Sequence, residues 1–349
     1  MFLLSFSSKF FRTFASKKDK STVKTPTISI IIPVYNGAKY VSDALSSVVN
    51  QTFTDWECIV IDDASTDNSV DIINDFVARD KRFRLIKKDK NSGIGATRNV
   101  GLDVARGEYI AFLDQDDFYF QSALESLLWT AREYNADTVI GDFMVVPDEM
   151  KYAPSNNTEF NPSQLKIYKF TNPFIGFIKM SEEQGAMWLW RRLWRRDAIK
   201  DIRFPEIFIS NEDLIFVLYS LANTKNMIQI NCAIACHRAS NNSESGLNNT
   251  VSEYGLIGHL NCMVWVCKIF TNSYPKQFMK IMKESLSHEL FYIMLFPMLR
   301  DKKYISPRSA IEILKYWNTG VINTRVLPFW TRWKLWAKLK MIATHDQKE

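Results

Sequence analysis

The part of the chain from Ile28 to Leu128 alternates between short apolar runs and segments whose apolar residues repeat at helical spacing. The run from Ile28 to Ile32 is typical of a strand buried on both faces, and the apolar positions between Val41 and Val49 recur with the period of a helix. The same alternation predicts further strands at Glu57 to Ile61, Arg84 to Ile86 and Tyr109 to Leu113, with helices that include Val70 to Val77, Ala96 to Ala105 and Leu124 to Ala131. Repeated strand-helix-strand units predict the α/β class, with a mostly parallel, doubly wound sheet covered by helices on both faces.

The pattern after Gly141 is less regular. The polar stretch from Pro147 to Gln164 predicts a loop, an aromatic and basic segment covers Trp188 to Arg196, and an apolar run covers Met227 to Cys236. Between Ser252 and Trp317 the apolar residues again have helical spacing. This spacing predicts a C-terminal helical appendage rather than further strands.

Length and composition are those of a globular protein. A chain of 349 residues with 46% hydrophobic residues can bury a large core, which excludes general disorder. The net charge of +6 would suit an anionic partner or simply solubility, and we expect no nucleic-acid partner from it.

The five cysteines are odd in number and widely spaced, so we expect a reducing cytoplasm rather than a disulfide framework. Cys232, Cys236 and His237 resemble a fragment of a zinc site, but the absence of a second ligand pair favours buried thiols.

Polar side chains follow three of the predicted strands at the points where these strands end. They lie in Pro33 to Gly37, Asp62 to Asp67 and Asp114 to Asp117. Ligands of open parallel sheets bind beyond the carboxyl ends of the strands. We therefore expect the three segments to lie together at that edge of the sheet, which is called the rim below. Carboxylates gathered there repel one another, which raises their pKa values unless a cation offsets the repulsion. Mg2+ or Mn2+, bound by one or two carboxylates and substrate phosphates, would do so and indicates a nucleoside-diphosphate substrate.

Each of these segments also has an ordinary structural explanation. Asp-Asp and Asn-Gly are common turn residues after strands, and Asp67 could cap the helix that follows. The occurrence of all three segments at one edge of the sheet favours a binding site.

Four blocks of the chain resemble, in order and spacing, the nucleotide-binding half of the family-2 glycosyltransferases, which have the GT-A fold. The resemblance covers Ile28 to Leu128 and departs at Thr97, where the family usually has alanine before the Arg-Asn pair. The blocks are Ile31 to Asn36, Ile61 to Asp67, Asn91 to Gly101 and Leu113 to Asp117.

The resemblance implies a role for the residues after the first two strands. Pro33, Tyr35 and Asn36 would surround the nucleoside. Asp63 would form a hydrogen bond with a uracil-type base. A UDP-sugar is therefore the expected donor.

The resemblance also implies how the diphosphate is bound. Asp114 and Asp116 form the Asp-x-Asp element, and together with Asp117 they would bind the ribose and the Mn2+ or Mg2+ ion on the diphosphate. For Arg98 two alternatives remain open. It would either approach the diphosphate or pair with Asp114 or a helix end.

In the second half of the chain, Glu212 and Asp213 resemble the Glu-Asp pair that carries the catalytic base of this family. The acceptor hydroxyl must lose its proton as it attacks the anomeric carbon, and Asp213 is the expected base, with Glu212 orienting it or contacting the acceptor. The alternative for this pair is the capped, solvated start of a helix. His237 and Arg238 stand where related enzymes place diphosphate or acceptor contacts, and we include Arg238 among the expected nucleotide-sugar ligands.

The implied function is a metal-dependent, inverting transfer of a hexose or N-acetylhexosamine to a saccharide or lipid-linked saccharide in cell-surface glycan synthesis. The alternative is a catalytically inactive, membrane-associated sugar-binding or scaffold protein. A nucleotidyltransferase is disfavoured because the glycine-rich loop after the first strand is absent, with one glycine between Pro33 and Gly37. A dehydrogenase is disfavoured because Gly93-Ile94-Gly95 lies far downstream and lacks the third glycine.

Both ends of the chain are expected to contact a membrane surface, although no apolar run is long enough to span one. Met1 to Lys18 places aromatic residues at helical spacing among basic ones, which fits an interfacial anchor or a transit peptide. Val326 to Glu349 interleaves tryptophans with lysines, which fits anionic lipid or, alternatively, packing on the helical appendage. We therefore expect a cytoplasmic protein, peripheral at the inner face of the cell membrane.

The expected domains are 1–26 (amphipathic segment and linker), 27–245 (GT-A domain, with halves 27–140 and 141–245), 246–325 (helical region) and 326–349 (basic aromatic tail).

Overall fold

The structure is a computed structural model that describes residues 25–154, 160–174, 176–177, 188–206, 212–239, 253–269, 276–288, 290–291, 295–300 and 305–344. The segment Met1 to Lys18, predicted to be an interfacial anchor or a transit peptide, lies outside the described residues. Most of the polar linker that follows it does so too.

The centre of the molecule is a β-sheet, which has nine strands in the described residues. The strands are β1 (Ile28–Val34), β2 (Trp56–Asp62), β3 (Phe83–Lys87), β4 (Tyr109–Phe112), β5 (Phe118–Tyr119), β6 (Thr138–Pro147), β7 (Ile167–Phe170), β8 (Arg192–Arg195) and β9 (Met227–Ala239). Their order is β3-β2-β1-β4-β8-β6-β9-β5, with β7 paired to β9. The predicted α/β class with a mostly parallel sheet is confirmed.

Helices cover the sheet and continue beyond it. They are α1 (Val41–Val49), α2 (Ser69–Arg79), α3 (Ile94–Val104), α4 (Ala123–Glu133), α5 (Arg196–Ile199), α6 (Glu212–Asn223), α7 (Glu253–Ile269), α8 (Lys276–His288), α9 (Phe296–Arg300), α10 (Pro307–Asn318) and α11 (Phe329–Thr344). The strands and helices predicted up to Leu128 are all present. Within the described part of the loop predicted after Pro147, the only helical turn is Pro162–Gln164.

The strand directions bring several chain segments to one edge of the sheet. β1 is parallel to β2 and β4, while β8 lies antiparallel between β4 and β6. β6 and β9 are parallel to each other and therefore run in the same direction as β4. The carboxyl ends of β1, β2, β4, β6 and β9 thus share one edge with the start of β8.

Alternate residues of β1 pack into two hydrophobic clusters on opposite faces of the sheet. Ile30 and Ile32 belong to the cluster that includes α1 and α4, whereas Ile31 belongs to the cluster that includes the C-terminal helices. All three side chains are fully buried. Burying a side chain of this size contributes about 1.5–3 kcal/mol. A run of isoleucines, rather than polar alternation, therefore marks this strand.

The C-terminal helices share a hydrophobic cluster with the sheet. Phe112 of β4 and Phe216 of α6 lie in the same cluster as Leu256 of α7 and Leu286 of α8. The helical content predicted between Ser252 and Trp317 is confirmed in the described part of that range. The domain boundaries remain a prediction.

Helix α11, in the predicted basic aromatic tail, has apolar residues on opposite sides. Leu335 and Leu339 are buried in the shared cluster, and Trp336 is partly buried against it. Trp330 and Trp333 are 70% and 58% exposed. One side of the helix therefore packs on the helical region, and the other side faces solvent.

The cysteines, all within the described residues, form no disulfide. Cys236 is buried and Cys232 is half-buried, in agreement with the prediction of thiols in an apolar segment. Among the described helices, none combines the length and the apolar composition that crossing a bilayer requires.

Candidate functional site

The loops that follow β1 and β4 are joined through Gln115. Its side-chain amide accepts the N–H of Tyr35 at 2.9 Å and donates to the Tyr35 carbonyl at 3.1 Å. Gly37 packs against the same amide, and a Cβ at this position would lie 2.3 Å from Gln115 Oε1. Of the residues predicted near the nucleoside, Tyr35 is 42% exposed at this junction, whereas Pro33 is buried within β1.

The loops after β1 and β2 are also hydrogen-bonded to each other. Asn36 Oδ1 accepts the N–H of Thr66 at 2.8 Å, and the N–H of Asn36 donates to Ser65 Oγ at 2.9 Å. Asn36 and Ala64 have positive φ values of 47° and 62°. Residues other than glycine rarely adopt this conformation, and those that do cluster at functional sites. The predicted contact between Asn36 and a nucleoside remains a prediction.

Asp63 ties the end of β2 to the loop before α3. Its two carboxylate oxygens accept the N–H groups of Ser92 and Gly93 at 3.0 and 2.9 Å, and Lys88 Nζ lies 2.6 Å from Oδ1. The side chain of Asp63 is 3% exposed. In this structure Asp63 therefore holds the loop before α3 at the end of β2, and its predicted hydrogen bond to a base remains a prediction.

Arg98 links Asp114, a predicted donor residue, to Glu212, the neighbour of the predicted base. Its guanidinium donates to Asp114 Oδ1 and to Glu212 Oε1, both at 2.7 Å, and the side chain is 3% exposed. Burial lowers the pKa of Arg98, but the charges of Asp114 and Glu212 raise it overall. Of the two predicted alternatives, pairing with Asp114 is the one observed. The simultaneous bond to Glu212 was not predicted.

Asp116 is a rim carboxylate without an ion-pair partner among the described residues. Burial and the charges of Asp117 and Asp114 raise its pKa to about 7. A raised pKa is the result expected when carboxylates crowd together without a cation between them. Asp116 is therefore the carboxylate of the rim best suited to meet a metal ion.

Asp117 is buried and bound by β9. Its Oδ1 atom accepts the backbone N–H of Arg238 at 3.0 Å and lies 3.1 Å from His237 Nδ1. Burial lowers the pKa of His237, but the hydrogen bond and the nearby carboxylates raise it overall. Histidines that ligate metals usually bond a carboxylate through one ring nitrogen, as His237 does, and offer the other to the ion.

The predicted metal set of Asp114, Asp116 and Asp117 is not assembled. In the described residues, no three His, Cys, Asp or Glu side chains surround a possible ion position. The reason is that Asp114 is paired with Arg98 and Asp117 is held by β9. Asp116 and the neighbouring His237 remain as candidate ligands, and a diphosphate would have to supply the rest.

Arg238 is held by hydrogen bonds inside the protein, and its predicted contact with the nucleotide sugar remains a prediction. Its side chain is fully buried. It donates to the Asp116 carbonyl at 2.7 Å, to Asp43 Oδ2 at 2.5 Å and to the Met150 carbonyl at 3.0 Å. In this structure the guanidinium of Arg238 therefore positions the backbone of Asp116.

The start of α6 supplies the predicted base. Asp213 Oδ1 accepts the N–H of Leu214 at 2.7 Å. Burial and the charge of Glu212 raise the pKa of Asp213 to about 7, while Arg98 partly opposes them. A carboxylate with a pKa near neutrality can take a proton from an acceptor hydroxyl at physiological pH.

Some residues at this edge were not among the predicted site residues. Gln115 joins two loops of the rim. Trp190 stacks on His237 beside Asp117, and the ring of Trp188 lies tilted against the same histidine. The sequence signal for the tryptophans was the aromatic segment before β8. The spacing of apolar residues in that segment does not show where the tryptophans lie relative to the rim.

Residues 29–197 match the model of Glycosyl transferase family 2. An uncharacterized glycosyltransferase of Haemophilus influenzae is 35% identical over 204 residues, which are 58% of this chain and 75% of that protein. The chain spans only 52–62% of the length of three other bacterial glycosyltransferases that are 30–37% identical to it.

Solved structures share the fold. S. aureus TarS 1–349 in complex with UDP-GlcNAc matches with a TM-score of 0.64 and 21% identity, over 86% of this chain and 82% of that one. The mannosyltransferase PcManGT from Pyrobaculum calidifontis, in complex with GDP-Man and Mn2+, matches with a TM-score of 0.53 and 13% identity, over 94% and 89%. At these identities the likeness establishes the GT-A fold alone. Together with the sequence matches, it shows that this chain belongs to the family-2 glycosyltransferases.

Proposed function

We propose that this chain is a metal-dependent, inverting glycosyltransferase that moves a hexose or N-acetylhexosamine from a UDP-sugar to a saccharide or lipid-linked saccharide. The Arg98 bridge carries the proposal. It joins Asp114, in the loop expected to hold the donor diphosphate, to Glu212, which stands beside the candidate base Asp213. The UDP-GlcNAc in the TarS complex supports a UDP-sugar donor for a chain of this fold.

The metal requirement rests on Asp116 and His237. Burial and the charges of Asp117 and Asp114 raise the pKa of Asp116 to about 7, and a cation would offset the repulsion among these carboxylates. The Nδ1 hydrogen bond of His237 suits a metal ligand. Carboxylate oxygen and imidazole nitrogen are both acceptable to Mn2+, and Mg2+ favours the oxygen. The bound ion would stabilise the charge that develops on the departing diphosphate. The Mn2+ in the PcManGT complex supports this requirement.

The chemical step would be a single displacement. Asp213 takes the proton of the acceptor hydroxyl as its oxygen bonds to the anomeric carbon. On the opposite face of the sugar, the bond from the anomeric carbon to the diphosphate oxygen breaks, and the electron pair leaves with the nucleoside diphosphate. Configuration is therefore inverted, without a covalent sugar-enzyme intermediate. Arg98 holds Glu212 in place and favours the ionised form of Asp213.

The outward side of α11 supports work at a membrane surface. Trp330 and Trp333 are exposed there, together with Lys334, Lys338 and Lys340. Tryptophan favours the interfacial region, and each lysine near anionic lipid contributes about 1 kcal/mol. Attachment at the cytoplasmic face of the cell membrane would bring a lipid-linked acceptor for a cell-surface glycan within reach.

Hydrolysis of nucleotide sugars tests the proposal. A panel of UDP- and GDP-sugars is incubated with the full chain and Mn2+, Mg2+ or EDTA, and the released nucleoside diphosphate is measured. We expect release from a UDP-sugar that requires the metal and is abolished in Asp116→Asn. Full activity in excess EDTA would exclude the metal requirement. Binding of UDP without turnover of any donor would favour an inactive sugar-binding or scaffold protein.

A further inference from the structure

Four aromatic rings, three of them joined by stacked contacts and the fourth packed edge-on, form a group at the edge of the sheet that carries the candidate site, and this group is called the stack below. Trp188 and Trp190 stack with centroids 5.2 Å apart, and Trp190 stacks on His237 at 5.4 Å with an interplanar angle of 14°. Phe143 packs edge-on against Trp188 at 4.7 Å. Trp190 is buried, whereas Phe143, Trp188 and His237 are half-buried. The stack therefore offers ring surface at the rim in addition to packing in the core.

An irregularity in β6 aims Phe143 at this stack. The register between β6 and β9 shifts on both sides of Asp142, and such β-bulges re-aim side chains beside active sites. Arg191 fixes the bulge. It donates to the Gly141 carbonyl at 2.9 Å, lies 5.2 Å from the Phe143 ring centroid and pairs with Asp142 at 3.6 Å.

The stack is connected to the catalytic rim but lies away from the expected nucleoside. His237 bonds Asp117, the neighbour of Asp116. β6 and β9 lie on the opposite side of β4 from β1 and β2, whose loops are expected to hold the nucleoside. The stack therefore lies at the part of the rim that the expected nucleoside leaves open.

We propose that Trp188 and Phe143 form an acceptor subsite for the apolar face of a pyranose ring. The C–H groups on one face of a pyranose are apolar, and an aromatic ring both removes them from water and attracts them by its negatively charged face. Asp142, whose carboxylate is 45% exposed beside Phe143, accepts hydrogen bonds from the hydroxyl groups at the edge of the sugar. The inference rests on the proposed function and names the class of acceptor.

Ligand-observed NMR on the full chain, with UDP and Mn2+ present, tests this subsite. The probes are the methyl pyranosides of glucose, galactose, mannose and N-acetylglucosamine. We expect saturation transfer to the ring C–H protons of at least one probe, with an affinity that falls about fivefold or more in Trp188→Ala. Trp188→Phe should retain most of the affinity. Trp330→Ala, which removes an exposed tryptophan of α11, is the matched control and should bind as the wild type does.

Three results would overturn the subsite. The first is the absence of saturation transfer to every probe, and the second is undiminished saturation transfer in Trp188→Ala. The third is a loss of calorimetric UDP affinity in that variant, which would assign the stack to the nucleoside. If Trp188→Ala unfolds, Trp188→Leu makes the same comparison because it keeps apolar volume but lacks a flat ring. Donor hydrolysis by the wild type is measured separately. Pyranoside binding without hydrolysis would retain the subsite and refute the transferase, whereas hydrolysis without binding would refute the subsite alone.

Discussion

Replacing Asp213 by asparagine should stabilise the protein at alkaline pH and leave its stability unchanged at acid pH. Burial and the charge of Glu212 raise the pKa of Asp213 from 3.8 to about 7, so the folded protein binds this proton more tightly than the unfolded chain does. Stability is therefore lost as the pH rises from about 4 to about 7 and Asp213 ionises in its buried position. Asparagine carries no charge and avoids this loss.

The size of the effect follows from the difference between the two pKa values. A difference from 3.8 to about 7 corresponds to about 4 kcal/mol, which is an upper limit. Arg98 loses a favourable charge in the variant, and the N–H of Leu214 loses a charged acceptor. We therefore expect a net gain of about 1–2 kcal/mol in the free energy of unfolding, since hydrogen bonds to charged groups contribute about 1.5–3 kcal/mol.

Thermal unfolding of the wild type and Asp213→Asn at about pH 3.5, where the carboxyl group is protonated in both the folded and the unfolded protein, and at about pH 8.5 measures the effect. The Tm of the variant should be about 2–4 °C higher at the alkaline pH and equal at the acid pH. Asp201→Asn, at an exposed position, is the control for removing one negative charge. An equal gain at both pH values, or a lower Tm at alkaline pH, would refute the reasoning. The same variant should lose transfer but keep its donor affinity, and a comparable loss of affinity in calorimetry would place Asp213 in the nucleotide site.

Four further outcomes are expected. Transfer by the wild type should fall as the pH drops through about 7, because Asp213 must be ionised to act as a base, and an acid limb near pH 4 in the pH–rate profile would contradict this. Asp116→Asn should weaken calorimetric UDP binding in Mn2+ but not in EDTA, and equal loss in both would exclude a metal role. Arg98→Met should lower the free energy of unfolding by about 3–5 kcal/mol in urea, because its two partners lose their cation, and a change under about 1 kcal/mol would contradict a structural bridge. Replacing Trp330 and Trp333 by serine should reduce sedimentation with phosphatidylglycerol vesicles at unchanged Tm, and unchanged sedimentation would refute the lipid-facing surface.

The fold of the first half could be predicted because its strands are buried on both faces. Isoleucine-rich runs such as β1 have no polar alternation, and the helices between them have a clear apolar stripe. The second half could not be read in the same way. β8 runs antiparallel between β4 and β6, and β6 carries a bulge. Both features interrupt the strand-helix rhythm from which the first half was predicted.

The candidate site could be predicted only where it depends on position after a strand. The rim segments of β1, β2 and β4 meet as expected, because parallel strands end at one edge. The bond between Arg98 and Glu212 joins residues 114 positions apart, and no local pattern encodes such a pair. The burial of Arg238 was missed for a similar reason. Its partners come from α1 and from the loop after β6.

The tail shows how the structure changes an experiment that the sequence suggests. Deleting Val326 to Glu349 would remove the exposed tryptophans and also Leu335 and Leu339, which are buried in the shared cluster. Loss of vesicle binding after such a deletion would therefore report unfolding as readily as loss of an anchor. Substitutions confined to the outward side of α11 separate the two effects.

The Arg98 bridge limits how the two halves of this chain can be exchanged with those of relatives. A hybrid that kept residues 27–140 and took the acceptor half from another family member would bury the Arg98 guanidinium against whatever side chain replaced Glu212. Arg98 would keep Asp114 but lose the second of its two carboxylates, and breaking a buried ion pair costs up to about 3–5 kcal/mol, a large part of the stability of a typical domain. Recombination between positions 98 and 212 would thus be tolerated only when the incoming half brings a carboxylate to the start of its helix. The two predicted halves of the domain would then be inherited as a matched pair.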